Sequence, residues 1–234
     1  MKEINKININ IILILFALLT ILVKFFLPYI FYSGEDDIIK SLSELRGSQY
    51  LPIIKSYSEF NFAPTYEVKE LYNNKILAFP YLALLIHTLS FKLFGINSFL
   101  YIEFFATSFF LIIFYNIFRH LNFNKSISFF LTILLFIIPN VINELKFLEL
   151  DFLNSISENL INLYNTRLPR PLITNLYFYT YLLIIIKIFR DSEYTPTRGF
   201  FLGLLSGISL HSFFYFAFIE ITLLLFIVLL LNKG

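Results

Sequence analysis

The sequence predicts an all-α, polytopic membrane protein with about six spans and extra surface helices in a long first outer loop. Hydrophobic residues make up 58% of the 234 residues and charged residues 15%, whereas soluble domains are about 45–50% apolar and about 25% charged. Apolar stretches near the length of a spanning helix recur along the whole chain. We therefore interpret residues 1–234 as one transmembrane module.

Composition also excludes several functional classes. The chain has no Cys, so disulfides, thiolate nucleophiles and Cys-ligated metals are excluded. The formal net charge is +2, which gives no basic surface of the kind that nucleic acids require. We therefore expect membrane lipid, and not nucleic acid, as a partner.

The first apolar stretch, 9–32, follows a polar start that contains Lys2 and Lys6. A cleaved signal peptide is the alternative interpretation, but its apolar core would be shorter and a small-residue cleavage site should follow. The run is long and ends at Ser33-Gly34-Glu35. It predicts an uncleaved first span.

Five further apolar stretches follow at 76–95, 97–118, 127–142, 172–188 and 200–231. The last contains 32 residues, which is too long for one ordinary span. Two interpretations remain open for it: two short helices that turn near His211-Ser212, or one span followed by a surface helix.

The distribution of charge predicts the topology, because short cytoplasmic loops are rich in Lys and Arg. All the basic clusters lie inside only if one apolar stretch before Arg119 does not cross. The best candidate is 76–95, which contains His87 and Lys92 and would lie on the membrane face. The basic clusters are Lys2/Lys6, Arg119/Lys125, Lys187/Arg190/Arg198 and Lys233.

In the resulting layout both termini are cytoplasmic, and the membrane is expected to be a bacterial inner (plasma) membrane. The outer loops are 33–96 and 147–171. Of the 16 Asp and Glu residues, seven lie in 33–75 and four in 144–158, so 11 gather on the outer face. The spans are 9–32, 97–118, 127–146, 172–189 and two helices within 199–232.

Three consecutive acids, Glu35, Asp36 and Asp37, follow the first span. Adjacent carboxylates repel each other, and this favours a bound cation or a raised pKa in one of them. Oxygen-rich sites of this kind suit Mg²⁺, Mn²⁺ or Ca²⁺, and one carboxylate would serve as a general base. The alternative is an N-cap of a helix over 38–45.

Arg167 and Arg170 lie on either side of Pro169, and Pro171 follows just before the fourth span. Arginine is the preferred partner of phosphate, so a lipid phosphate is the expected ligand. The alternative is snorkelling of basic side chains at the interface. Their predicted outer position runs against the usual distribution of positive charge, which favours a function.

Other polar residues lie within or beside the apolar stretches. We expect His87 either to contact substrate or to be packed. Lys24 and Glu220 would each be paired inside the protein with a partner that the sequence does not identify, since buried charges in a membrane are expensive. We expect Glu103 to contact water in the headgroup region. His211 would be either packed or facing an outer cavity. Gly199, Gly203 and Gly207 would allow another helix to pack closely against this one.

Several of these features occur together in one order. An acidic group follows the first span at Glu35-Asp36-Asp37, a proline motif stands at Phe79-Pro80-Tyr81, and a Phe-Gly pair at Phe94-Gly95. A span that ends in Phe118-Arg119 follows, and then a second outer loop with Glu149 or Asp151. This order resembles the amino-terminal half of GT-C type glycosyltransferases. Those enzymes use polyprenyl-phosphate-linked sugars.

The resemblance implies sugar transfer from a lipid-phosphate donor to an acceptor on the outer face. Asp36 and Asp37 would be catalytic, Glu35, Asp36 and Asp37 would hold a divalent cation, and Arg167 and Arg170 would bind the phosphate together with His87. The family usually has more spans, so a missing carboxy-terminal half or a partner subunit is expected. The alternatives are a non-catalytic membrane subunit and a transporter or flippase.

Overall fold

The computed structural model describes residues 8–26, 50–61, 81–144, 172–191 and 195–231. Within these ranges the chain forms eight α-helices and no strand, which confirms the predicted all-α class. A π-helical turn, Leu22–Phe26, extends α1, and a 3₁₀ turn, Gly95–Asn97, joins α3 to α4. The helices are α1 (Ile9–Ile21), α2 (Leu51–Ser58), α3 (Tyr81–Phe94), α4 (Ser98–His120), α5 (Lys125–Glu144), α6 (Leu172–Asp191), α7 (Pro196–Ser212) and α8 (Phe214–Leu231).

Two apolar helical stretches in the described ranges are long enough to cross a membrane, Leu82–His120 and Leu172–Asp191. The first combines α3, the 3₁₀ turn and α4. In α1, α5 and α8 the apolar segments are shorter. Length and composition therefore support a membrane location, whereas the predicted number of about six spans is not confirmed.

The central helix is α4, which contacts α1, α3, α5 and α6. Its Phe110 and Phe114 rings lie 5.6 and 4.6 Å from the Tyr179 ring of α6, measured between centroids. Leu13 and Ala17 of α1 are fully buried in the same cluster. Since lipid is as apolar as these side chains, close packing rather than release of water holds such helices together.

One end of the bundle is covered by α2 and α3, and we call it the capped end. Ile54 and Tyr57 of α2 form a single core cluster there with Leu84 of α3, Phe99 of α4 and Leu172 of α6. Both α4 and α6 therefore begin at the capped end and run in the same direction away from it.

The opposite end, where α4 and α6 finish, carries basic side chains, and we call it the basic end. Nη1 of Arg190 lies 3.2 Å from Nδ1 of His120. At the start of α7, Arg198 donates a hydrogen bond of 2.9 Å to Asp191. Lys125 begins α5 after a short turn. Two of the predicted cytoplasmic basic clusters thus lie together, as the predicted layout requires.

The direction of α3 differs from that of α4 although the two are almost continuous. Gly95 has a φ of 58°, a left-handed conformation that glycine adopts without strain. The His87 and Phe99 rings lie 5.9 Å apart, whereas 12 residues of straight helix would separate them by about 18 Å. Helix α3 therefore turns back against α4. That 76–95 does not cross the membrane stays a prediction.

The long apolar stretch 200–231 forms two helices. Phe213 has φ −156° and ψ 89°, so its backbone is not helical, and it separates α7 from α8. The two helices pack against each other and against α6. The structure thus shows a helix break next to His211-Ser212, as the first interpretation expected, and whether both helices cross the membrane stays a prediction.

The glycines of α7 do not have the predicted role within the described part of the chain. Gly203 and Gly207 are exposed, and no other atom lies within 4 Å of the position that a Cβ would occupy on either. The expected close helix packing at these two positions is therefore wrong. The serines on another side of α7 face its neighbours instead.

Candidate functional site

Most of the predicted site residues lie outside the described ranges. These are Glu35, Asp36, Asp37, Arg167 and Arg170, and their roles stay predictions. His87 is described. Among the described side chains, no three His, Asp or Glu residues cluster as metal ligands.

Two described residues close to the segments with the predicted acids and arginines lie at the same end of the bundle. Lys24, near the end of the π-helical turn, pairs with Glu103 close to the start of α4. Leu172, which begins α6, lies in the core cluster of the capped end. Lys24 and Leu172 therefore both lie toward the capped end.

His87 lies beneath α3 at the capped end and is completely buried. Its ring stacks on Phe99, with an interplanar angle of 22°, and neither ring nitrogen has a hydrogen-bond partner. The fold-back at Gly95 presses this face of α3 against α4. A buried polar group without a partner costs about 1–3 kcal/mol, and no acid in the described ranges pairs with this ring to favour its charged form.

A buried ion pair between Lys24 and Glu103 lies at the same end. The Glu103 side chain is 2% exposed and that of Lys24 is 34% exposed. One Glu103 oxygen, Oε2, has no hydrogen-bond partner. The sequence interpretation placed Glu103 in headgroup water and left the partner of Lys24 open. The expectation that Glu103 contacts headgroup water is wrong, because antiparallel packing of α1 on α4 encloses its carboxylate.

Several hydroxyl groups on α4 add to this polar region. Thr107 follows Glu103 by four residues, so the two share one helix face. The hydroxyls of Ser98, Thr107 and Ser108 are buried and have no hydrogen-bond partner in the described part of the chain. Ser98 lies at the capped end with His87, whereas Thr107 and Ser108 lie nearer the middle of α4.

A second polar group surrounds Glu220, which is completely buried on α8. Ser209 of α7 donates a hydrogen bond of 2.8 Å to Glu220 Oε1. Tyr181 of α6 donates to the Glu220 backbone carbonyl. The Glu220 Oε2 atom and the Ser212 hydroxyl are buried without partners among the described groups, and the Ser206 hydroxyl lies close to Glu220 and Tyr181.

The sequence interpretation expected Glu220 to be paired but did not identify its serine neighbours. Ser206, Ser209 and Ser212 recur every third residue and so follow one side of α7. The sequence signal that could have identified this polar group is the three-residue spacing of the serines, followed in the chain by an apolar helix with a single acid. His211, by contrast, is exposed in the structure, so the packing expected for it is wrong.

Comparisons with known proteins give no match. No family model, no curated protein and no solved structure is similar to this chain.

Proposed function

We propose that the chain is a six-span membrane protein whose basic end is cytoplasmic and whose capped end faces outward. The spans would be α1, α4, α5, α6, α7 and α8, with α2 and α3 at the outer surface. Support comes from the grouping of Arg119, Arg190 and Arg198 at one end, because cytoplasmic loops are enriched in Arg and Lys. Support for α3 as a surface helix comes from the left-handed turn at Gly95, which folds α3 back against the first residues of α4.

Cysteine labelling tests this orientation, since the chain has no Cys of its own. Lys125→Cys, at the exposed start of α5, should be shielded from an impermeant thiol reagent in intact cells. Glu59→Cys, in the exposed turn after α2, should be labelled. Labelling of the first and protection of the second would reverse the orientation, and labelling of both would remove the six-span layout.

On this topology the function that the site supports best is sugar transfer from a polyprenyl-phosphate donor at the capped end. The single observation that carries the proposal is His87, whose ring nitrogens are buried without partners among the described groups, at the end of the bundle where Lys24 and Leu172 lie. A protein retains such a costly group when a ligand supplies the missing hydrogen bond. The order of sequence features described above supports the same function.

The chemistry assigns the predicted residues to one reaction. An acceptor hydroxyl oxygen bonds to the anomeric carbon while the bond from that carbon to the donor phosphate breaks. The hydroxyl proton passes to the carboxylate of Asp36 or Asp37, and polyprenyl phosphate leaves with the bonding electron pair. Arg167, Arg170 and His87 hold the phosphate. A divalent cation on the acidic group would add charge stabilisation.

Replacement of His87 by Leu separates a ligand contact from a packing residue, because the two roles predict opposite effects. Removing an unsatisfied buried polar group should raise the unfolding free energy by about 1–3 kcal/mol. Binding of a polyprenyl-phosphate analogue to protein in nanodiscs should weaken at least about 10-fold, which is the loss of one hydrogen bond to a charged group.

Thr88→Val is the matched control, since Thr88 is buried on the same helix and its hydroxyl already bonds to the Leu84 carbonyl at 2.9 Å. It should leave analogue binding unchanged. If His87→Leu gains stability and binds the analogue like the parent, His87 is a packing residue and the proposal loses its main support.

A transporter or flippase is the second candidate, and Glu220 is the observation that favours it. Ionisable side chains buried within membrane helices commonly mark ion or proton pathways. Transport of a lipid-linked substrate would use the same capped end but would transfer no sugar. An assay of sugar transfer with purified protein therefore separates the two candidates.

A further inference from the structure

The side chain of Glu220 is buried where no positive charge compensates it. It lies about 9 Å along α8 from Phe214, well inside an apolar helix. Among the described residues no Lys, Arg or His is within ion-pair distance of its carboxyl group. The polar groups that face it are Tyr181 on α6 and the serines on α7. A lone carboxylate in such surroundings is costly unless a cation or a proton neutralises it.

Glu220 lies beside the junction between α7 and α8. Ser209 lies in the last turn of α7, and its hydroxyl is 2.8 Å from Glu220 Oε1. The end of α7 carries a partial negative charge of about −0.5 and the start of α8 a partial positive charge of similar size. The two helix ends oppose each other, so they do not replace a cation or a proton at the carboxyl group.

We propose that Glu220, together with Ser206 and Ser209, forms a binding site for Na⁺, which competes there with a proton. All the groups are hard oxygen ligands. Glu220 Oε2 is buried without a hydrogen-bond partner among the described groups, and the Ser206 hydroxyl lies beside the carboxyl group. The Ser209 hydroxyl donates a hydrogen bond to Glu220 Oε1, and the lone pairs of its oxygen can still bind an ion.

The charge of the site selects a monovalent ion. One carboxylate balances one positive charge, whereas divalent cations usually take several carboxylates. A carboxylate beside the carboxy-terminal end of an interrupted membrane helix is a common way to hold Na⁺. Because Glu220 is completely enclosed, the site favours Na⁺ over the larger K⁺. The inference goes beyond sugar transfer and does not depend on it.

Carbodiimide labelling provides the test, because an apolar carbodiimide couples to a protonated carboxyl and not to a carboxylate. Purified protein in nanodiscs is labelled in choline chloride, KCl or NaCl of equal ionic strength, and the labelled site is found by peptide mass spectrometry. Glu220 should be modified in choline. Na⁺ present at about 10 times its dissociation constant should slow the modification about 10-fold by mass action, and K⁺ should slow it less.

Two variants define the ligands. Ser209→Ala keeps the carboxyl group but should lose the protection by Na⁺. Thr222→Ala is the matched control on α8, since that hydroxyl is exposed and bonds to the Phe218 carbonyl; it should keep the protection. Thermal unfolding gives a second readout, because Na⁺ should raise the unfolding temperature of the parent and not that of Glu220→Gln.

A rate of Glu220 labelling that is equal in choline, K⁺ and Na⁺ would overturn the proposal and leave a protonated acid only. Absence of labelling together with an unfolding temperature that does not depend on Na⁺ would overturn it equally. Binding of the polyprenyl-phosphate analogue to Glu220→Gln, measured separately, keeps this result independent of the proposed function.

Discussion

Replacing Lys24 by Met should destabilise the folded protein by about 3 kcal/mol, because it leaves a buried carboxylate without its cation. The Glu103 side chain is 2% exposed and has no route to water, whereas Lys24 is 34% exposed. Glu103→Gln should therefore cost less, since the freed ammonium group can extend to the headgroup region. The order of the two effects follows from the unequal burial.

The unfolding free energy in mixed micelles measures these effects. The double variant Lys24→Met/Glu103→Leu should recover most of the loss, because no buried charge remains. Lys55→Met is the control, since Lys55 is exposed on α2, and it should stay within about 0.5 kcal/mol of the parent. Equal destabilisation by Lys24→Met and Lys55→Met would show that the pair contributes nothing specific.

Loss of the acids after the first span should have the largest effect on activity. Asp36→Asn or Asp37→Asn, whichever removes the general base, should lower the rate of sugar transfer at least about 100-fold. The amide keeps the size of the side chain but cannot accept the proton. Purified protein with a synthetic polyprenyl-phosphate sugar gives the rate, with binding of the donor measured in parallel.

Glu59→Gln serves as the control, because Glu59 is an exposed acid of the same predicted outer loop. It should transfer at the parent rate. The alternative role of Asp36, as an N-cap, predicts a different pattern: a modest loss of stability of about 1 kcal/mol and unchanged transfer. Normal rates in both single variants and in the double variant would support capping and remove the catalytic assignment.

Local patterns in the sequence were enough to predict the helices. The apolar lengths gave the all-α class, and the break near Ser212 followed from a stretch of 32 residues that one span cannot accommodate. The structure shows α3 as a helix separate from α4, with the 3₁₀ turn at Gly95–Asn97 between them. Each of these properties depends on residues that are neighbours in the chain.

Partnerships between distant residues were not predictable in the same way. Lys24 and Glu103 are separated by 79 positions, and the cost of a buried charge indicates that a partner exists without identifying it. The glycines of α7 show the converse. The spacing of these glycines correctly indicates a helix face without side chains. Whether another helix covers Gly203 and Gly207 depends on the packing of the whole bundle.

The exposed side of α3 has a consequence for how the bilayer acts on the protein. Ile86, Leu89 and Leu93 are 39%, 64% and 76% exposed along one face, while His87 is held on the other. On the proposed topology α3 lies at the membrane surface, with these side chains at the depth where lipid tails meet headgroups. A thinner or thicker bilayer should then shift α3 against α4 and move the His87 ring. Lipid thickness thus becomes a variable that acts directly on this part of the protein.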